Sequence, residues 1–149
     1  MQKIILFIFC IFFTFLEVSQ AKDEYFMTLR HDKVNLRLGP SKDYPIKIFY
    51  KKKFLPVLIQ DTSYNFRKIR DHENNSGWIH ISQLSKKKAA IIISNNEIMF
   101  KRPTIFSSPL VILEEGRLVK ITKCKEFWCK VETSSYKGWI KKDNLWGLL

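Results

Sequence analysis

The sequence predicts an all-β protein made of two tandem small barrels that pack together, preceded by a cleavable signal peptide. Three features of the 149-residue chain lead to this prediction. The motif Gly77-Trp78-Ile79 recurs as Gly138-Trp139-Ile140, short segments alternate between apolar and polar residues, and the chain starts with an apolar run. We therefore predict a signal peptide at residues 1–21, a first barrel at residues 22–86 and a second barrel at residues 87–149.

The amino-terminal segment has the three parts of a secretory signal. Lys3 supplies a basic charge, residues 4–16 are almost wholly apolar, and Ser19 and Ala21 place small residues where a signal peptidase reads them. A membrane-spanning helix needs roughly 20 apolar residues, so an uncleaved anchor is the weaker alternative. Export with cleavage after Ala21 is the expectation.

The first unit has the pattern of short strands. Apolar residues at every second position within residues 34–38 and 46–50 predict strands with one face toward a core. Pro40 should end the earlier strand, because proline cannot donate to a β-ladder. The polar residues 72–76 predict a hairpin loop, and residues 81–84 predict a single 3₁₀ turn after the Gly-Trp strand.

The second unit repeats the first with small changes in spacing. Residues 27–58 align with residues 90–121 at a constant offset of 63. The second unit is then expected to be one residue shorter in the loop before the counterpart of Phe66, and one residue shorter again in the loop before the counterpart of Gly77. Agreement over so many apolar positions indicates a tandem repeat. A unit of about 60 residues buries only about 60% of its surface alone, so the barrels are expected to pack together. The apolar residues 146–149 are expected to fold back onto a barrel or the seam.

Two cysteines remain after the predicted cleavage, Cys124 and Cys129. They flank residues 125–128, a predicted hairpin turn across which two cysteines can reach disulfide spacing. An even pair in an exported chain favours a disulfide. Free thiols are an alternative, and a nucleophilic cysteine is least favoured because all three histidines lie in the first unit. No four-ligand zinc pattern is present, so neither a metal nor a cofactor is predicted.

These residues resemble the bacterial SH3-like (Src-homology-3-like) domain. Residues 34–41, Val-Asn-Leu-Arg-Leu-Gly-Pro-Ser, are similar to its opening pattern, and Gly77-Trp78-Ile79 resembles its closing strand. The second unit keeps Pro103 of the opening and retains the ending at residues 128–131 and 138–140. The whole pattern is similar to a two-repeat family of exported proteins in Gram-negative bacteria. The resemblance implies barrels of five or six strands, a place in the periplasm and no catalytic activity.

The same resemblance implies a binding groove in the first unit at Asn35, Arg37, Tyr44 and Trp78. Related barrels hold peptides with exposed aromatic side chains between two loops. Core packing is the alternative role for each aromatic residue, since small barrels need large side chains to fill them. Residues 42–53 are strongly basic, so the ligand of such a groove is expected to be neutral or acidic.

The Gly-Trp pairs are expected to lie in the closing strand of each barrel. Gly77 and Gly138 are predicted to permit a turn or a bulge, and Trp78 and Trp139 are predicted to pack. Only the first unit keeps the fuller motif around its tryptophan, so the binding groove is assigned there.

The chain carries 26 Lys and Arg against 14 Asp and Glu, a net charge of +12. Such a charge is typical of nucleic-acid binding, but export argues against that partner. A solvated basic surface is the alternative to anionic envelope partners. The alignment also sets the basic residues 51–53 against residues 114–116, where two glutamates precede a glycine.

The predicted function is that of a non-catalytic exported binding module for cell-wall peptide or an envelope protein. The alternative is a small basic structural or regulatory envelope protein that attaches electrostatically to anionic surfaces, including peripheral contact with a membrane. A cysteine-dependent hydrolase is the third and least favoured hypothesis.

Overall fold

The computed structural model describes residues 23–149, and the predicted signal peptide lies outside this range. The first barrel contains β1 Tyr25–Leu29, β2 Val34–Arg37, β3 Ile46–Tyr50, β4 Pro56–Ser63, β5 Phe66–Arg70, β6 Ser76–His80, a 3₁₀ turn at Ile81–Gln83 and β7 Leu84–Ser85. The second barrel contains β8 Ala89–Ile92, β9 Glu97–Phe100, β10 Pro109–Leu113, β11 Leu118–Lys125, β12 Trp128–Thr133, β13 Tyr136–Lys141, a 3₁₀ turn at Lys142–Asn144 and β14 Leu145–Trp146.

Both barrels have the same topology, which confirms the tandem repeat. The first sheet has the order β3-β2-β6-β5-β4-β1-β7, and the second has the order β10-β9-β13-β12-β11-β8-β14. Each sheet has seven strands rather than the five or six that were expected. The difference includes β7 and β14, two-residue strands that follow the 3₁₀ turns and pair with β1 and β8. Residues 23–149 contain no helix long and apolar enough to cross a membrane.

The two barrels pack on each other, as the sequence predicted. Ile91 of the second barrel is buried within the core of the first, and Leu118 packs against that core. The ring of Trp146 meets the ring of Phe26 edge-on, with centroids 4.9 Å apart. Residues 146–149 therefore do return to the first barrel. Apolar contacts between the barrels add buried surface to two units that would each bury little surface alone.

The first single-residue slip of the repeat lies earlier than the sequence alignment placed it. Thr28 of β1 pairs with Pro56, whereas the equivalent Ile91 of β8 pairs with Leu118. Pro56, not Leu55, is therefore the counterpart of Leu118. The prediction was wrong because valine, leucine and isoleucine follow one another at residues 57–59, so an apolar pattern alone cannot locate a shift of one residue.

The slip falls in the loop between the third and fourth strands of each barrel. Phe54 has φ +65° and Gly116 has φ +78°, and their N–H groups donate to the carbonyls of Leu29 and Ile92 at 2.9 and 2.8 Å. The three basic residues 51–53 of the first barrel thus take the place of two residues of the second barrel, Glu114 and Glu115. The first barrel has a phenylalanine where this left-handed turn position carries glycine in the second.

Gly77 and Gly138 lie inside continuous ladders, so the predicted turn or bulge is wrong. The pairing of β5 with β6 and that of β12 with β13 both run without a register shift. A Cβ on Gly77 would lie 2.7 Å from the carbonyl oxygen of Arg37, and a Cβ on Gly138 would lie 2.7 Å from that of Phe100. Glycine is required because another strand approaches the backbone closely.

The predicted disulfide between Cys124 and Cys129 is confirmed. The two residues are directly opposite each other where β11 pairs with β12, and the hairpin turns at residues 126–127. Cys124 is exposed and Cys129 is fully buried. The bond therefore ties an exposed hairpin to the core of the second barrel.

Reduction of this disulfide is expected to lower the free energy of unfolding by about 2 kcal/mol, because the bond closes a short loop in the unfolded chain. Urea denaturation with and without reductant measures the difference. An alkylating reagent applied without reductant should modify neither Cys124 nor Cys129, as read by peptide mass mapping. Rapid labelling of the exposed Cys124 in the unreduced protein would contradict the bond.

Candidate binding face of the first barrel

The alternation of β2 turns two of the predicted site residues outward. Val34 and Leu36 are fully buried, while Asn35 and Arg37 are partly exposed. Arg37 is paired with Trp78 of β6, and Trp78 is paired with Lys68 of β5. Because opposite residues of a ladder share one face, these three side chains form a row across the outside of the sheet. The indole of Trp78 is partly exposed there, flanked by cationic residues.

Tyr44 is held beside this row by two contacts. The Nη1 of Arg37 donates to the backbone carbonyl of Tyr44 at 2.8 Å. The ring of Tyr44 lies against Gly39, where a Cβ would be only 2.5 Å from the ring carbons. Gly39 thus lets the ring pack on the loop backbone, and Tyr44 remains 47% exposed.

Asn35 lies at the other end of the face, opposite Phe49 of β3. Phe49 is 52% exposed, and the ammonium of Lys33 lies 5.3 Å from its ring centroid. The backbone N–H of Asn35 donates to Oε1 of Gln83 at 3.4 Å. The sequence analysis did not name Phe49 as a site residue. The alternation of β3 could have identified it, because Ile48 and Tyr50 on either side of it point inward and Phe49 must therefore point outward.

The structure thus places the four predicted residues on the outer side of β2 and the elements beside it. Arg37 and Lys68 flank Trp78, and the ammonium of Lys47 donates to the carbonyl of Ser76 at 3.1 Å. A partly exposed indole between cations suits apolar contact together with a neutral or acidic group. The binding role of these residues stays a prediction.

The second barrel does not reproduce this arrangement. The residues equivalent to Asn35, Arg37, Tyr44 and Trp78 are Ile98, Phe100, Ser107 and Trp139. Trp139 is only 7% exposed. The Phe100 ring meets Trp128 edge-on at 5.7 Å, and the Lys123 ammonium lies 5.8 Å from the Trp139 ring. At these positions the second barrel therefore uses its aromatic residues, Phe100 and Trp139, for packing.

A buried polar cluster supports the loop that leads into β6. Asp71 is only 1% exposed, and its carboxylate accepts a hydrogen bond from the Tyr50 hydroxyl at 2.8 Å. It also accepts hydrogen bonds from the backbone N–H groups of Glu73 and Asn75 at 3.0 and 2.8 Å and from the Asn75 side-chain amide at 2.9 Å. Burial, then the hydrogen bond to Asp71, raises the pKa of Tyr50 well above its ordinary value.

This cluster was missed at the level of sequence. Asp71 stands next to a loop of polar residues, and nothing in the local sequence distinguishes a buried carboxylate from an exposed one.

Within residues 23–149, no three His, Cys, Asp or Glu side chains come together in a way that could hold a metal ion.

Two seven-stranded barrels of identical topology, each ending in a 3₁₀ turn and a short strand, define a tandem SH3-like protein. The family model described as bacterial SH3 domain matches the chain twice, at residues 30–86 and 94–147. The chain belongs to the bacterial SH3 domain family.

Two solved structures from Trichomonas vaginalis are similar to this chain. The NlpC2 structure shares 13% identity with a TM-score of 0.38, covering 83% of this chain and 48% of that one. The NlpC1 structure shares 14% identity with a TM-score of 0.36, covering 85% of this chain and 47% of that one. The chain thus spans about half the length of each. A search of curated proteins found no match.

Proposed function

We propose that the protein is a non-catalytic, exported binding module that recognises cell-wall peptide, or a peptide segment of an envelope protein, in the periplasm of a Gram-negative bacterium. Asn35, Arg37, Tyr44 and Trp78 of the first barrel make the contacts. Membership of the bacterial SH3 domain family supports a binding role, since such domains bind cell-wall peptidoglycan.

The observation that carries this proposal is the row of Arg37, Trp78 and Lys68 on the outside of the first barrel. Tyr44 and Phe49 add aromatic rings that are about half exposed. Rigid aromatic side chains offer contact area at low entropic cost, and tryptophan, tyrosine and arginine are enriched among residues that dominate binding energy. The flanking cations favour an acidic group on the ligand.

Replacing Trp78 with alanine is expected to weaken binding to purified peptidoglycan by about tenfold or more, as expected for a central aromatic contact. Sedimentation with insoluble peptidoglycan measures the bound fraction, and urea denaturation verifies that the variant folds. Phe127→Ala is the matched control, because Phe127 is 72% exposed in the second barrel and should leave binding unchanged. Equal binding by Trp78→Ala, or no binding to peptidoglycan and to envelope proteins, would overturn the proposal.

A second candidate function is electrostatic attachment to anionic surfaces. Its supporting observation is a cluster of ammonium groups at the seam, where Lys53, Lys87 and Lys120 lie 5.4, 5.4 and 5.0 Å from the ring centroid of Phe54. Salt separates the two functions, because the Debye length falls to about 3 Å near 1 M. Attachment through this cluster should be lost in 1 M salt, whereas binding that uses the Trp78 ring should largely persist.

A further inference from the structure

The hairpin of β9 and β10 leaves a group of large apolar side chains exposed on the second barrel. They belong to β9, to β10 and to the connecting loop at residues 101–108, and they are Ile98, Ile105, Phe106, Leu110 and Ile112. Ile98 and Ile112 are directly opposite each other in the ladder, so they share one face of the sheet. Single exposed apolar residues need no explanation, but a group of them marks a contact site for another molecule.

The first barrel shows that this fold does not need apolar residues at the tip of the loop. At the same offset of 63, its equivalent residues are Lys42 for Ile105 and Asp43 for Phe106. Both charged residues are exposed, as are Ile105 and Phe106. Packing of the barrel therefore does not explain the apolar tip.

Hydrogen bonds inside the loop hold the tip in place and pair most of its backbone N–H groups. The N–H of Arg102 donates to the Ser107 hydroxyl at 2.9 Å. The N–H of Phe106 donates to the Thr104 hydroxyl at 3.3 Å. The N–H groups of residues 101, 104 and 107 donate to loop carbonyls at 3.0, 2.8 and 3.2 Å. Such a loop can enter a medium of low polarity at little cost, because few of its donors are left unpaired there.

The base of the loop is cationic. Lys101 and Arg102 are both exposed, and residues 98–113 include no aspartate or glutamate. Two interactions hold proteins on anionic membranes, namely burial of apolar side chains at the depth of the head groups and attraction of basic residues to acidic lipids. An apolar tip beside a basic pair offers both, and the net charge of +12 acts in the same direction.

The shape of the tip favours a lipid surface over a protein partner. Phe106 is 90% exposed and Ile105 is 56% exposed, so both side chains project from the barrel. A folded partner would need a pocket of complementary shape for them, whereas lipids rearrange around a projecting side chain. The net charge of +12 also opposes contact with a second copy of this chain.

We propose that the loop at residues 101–108 attaches the protein to the surface of an anionic lipid membrane. Ile105 and Phe106 insert at the depth of the head groups, and Lys101 and Arg102 contact the lipid phosphates. The site lies in the second barrel and depends neither on the Trp78 face nor on the lysine cluster around Phe54.

Sedimentation with lipid vesicles tests the proposal. The purified protein is expected to bind vesicles of phosphatidylglycerol and phosphatidylcholine in equal parts at least about tenfold more tightly than vesicles of phosphatidylcholine alone. The double variant Ile105→Ser with Phe106→Ser should lower the affinity for the mixed vesicles at least about tenfold, because it removes the apolar burial. Lys101→Glu with Arg102→Glu should lower it by about tenfold.

Phe127→Ser is the matched control, because Phe127 is an exposed aromatic residue at another hairpin of the same barrel, and it should leave vesicle binding unchanged. The variant at Ile105 and Phe106 keeps the lysine cluster around Phe54, so full vesicle binding by that variant would overturn the proposal. Equal losses in this variant and in Phe127→Ser would contradict the assignment of the loop.

Fluorescence measures the depth of the tip. The indole introduced by Phe106→Trp should be quenched by phospholipids brominated on their acyl chains, beyond any quenching of the four native tryptophans, and the indole introduced by Phe127→Trp should not. Equal quenching of the two variants would contradict insertion of the loop. Analytical ultracentrifugation covers the other occupant, since a dimer that Phe106→Ser dissociates would assign the tip to a second copy of the chain and overturn the proposal.

Discussion

Replacing Asp71 with alanine is expected to lower the free energy of unfolding by about 3 kcal/mol, because the change leaves buried donors without an acceptor. The Tyr50 hydroxyl, the N–H groups of Glu73 and Asn75 and the Asn75 side-chain amide all donate to this one carboxylate. Urea denaturation followed by tryptophan fluorescence measures the change. The same variant should weaken ligand binding at the Trp78 face, since the loop leads directly into β6.

Two further variants separate the parts of this effect. Tyr50→Phe removes one donor and keeps the carboxylate, so its expected cost is only about 1 kcal/mol. Asp143→Ala changes an exposed aspartate and should alter stability by no more than about 0.5 kcal/mol. If Asp71→Ala proved as stable as Asp143→Ala, the carboxylate would not be the centre of the loop's hydrogen bonding.

Alanine at Gly77 or at Gly138 is expected to lower the free energy of unfolding by about 2 kcal/mol or more, because each new Cβ overpacks a closely approached strand. In both barrels the nearest backbone atom is a carbonyl oxygen 2.7 Å away, so relief requires the backbone itself to move. Denaturation curves of the two single variants and of the parent protein measure the loss. At Gly77 the clash involves the carbonyl of Arg37, so that variant should also weaken binding at the first-barrel face.

Gly116→Ala is the matched comparison for these two variants. No atom lies within 4 Å of a Cβ at Gly116, but its φ is +78°. The expected cost is about 1 kcal/mol and comes from backbone conformation alone. A Gly77→Ala or Gly138→Ala protein that lost less stability than Gly116→Ala would show that the neighbouring strand moves aside easily.

Most of the strands of this protein could be predicted from local pattern. Alternation in residues 34–38 and 46–50 located β2 and β3, and the recurrence of Gly-Trp-Ile located β6 and β13. The 3₁₀ turn at residues 81–83 and the hairpin that carries the disulfide were also predicted. Strands are predictable in this way because polar and apolar spacing reports directly on which side of a strand faces a core.

The candidate site was predictable in part. Asn35 and Arg37 lie on one strand, so their shared direction follows from the period of a strand. That Trp78 lies beside Arg37 depends on which strands become neighbours, and that Tyr44 packs on Gly39 depends on the conformation of the loop after β2. The first of these contacts joins residues 41 positions apart in the chain, and the second depends on how the loop folds, neither of which a single sequence shows.

The sequence by itself determined the all-β class, the repeat, the disulfide and the family, because each depends on residues close together or on motifs repeated along the chain. Only the tertiary structure decided why Gly77 and Gly138 must be glycine, where the first slip of the repeat lies, that Asp71 is buried, and that Ile105 and Phe106 are exposed at the tip of a loop. These features depend on backbone separation and on which surfaces the two barrels bury together. Side-chain pattern along a strand carries no record of either quantity.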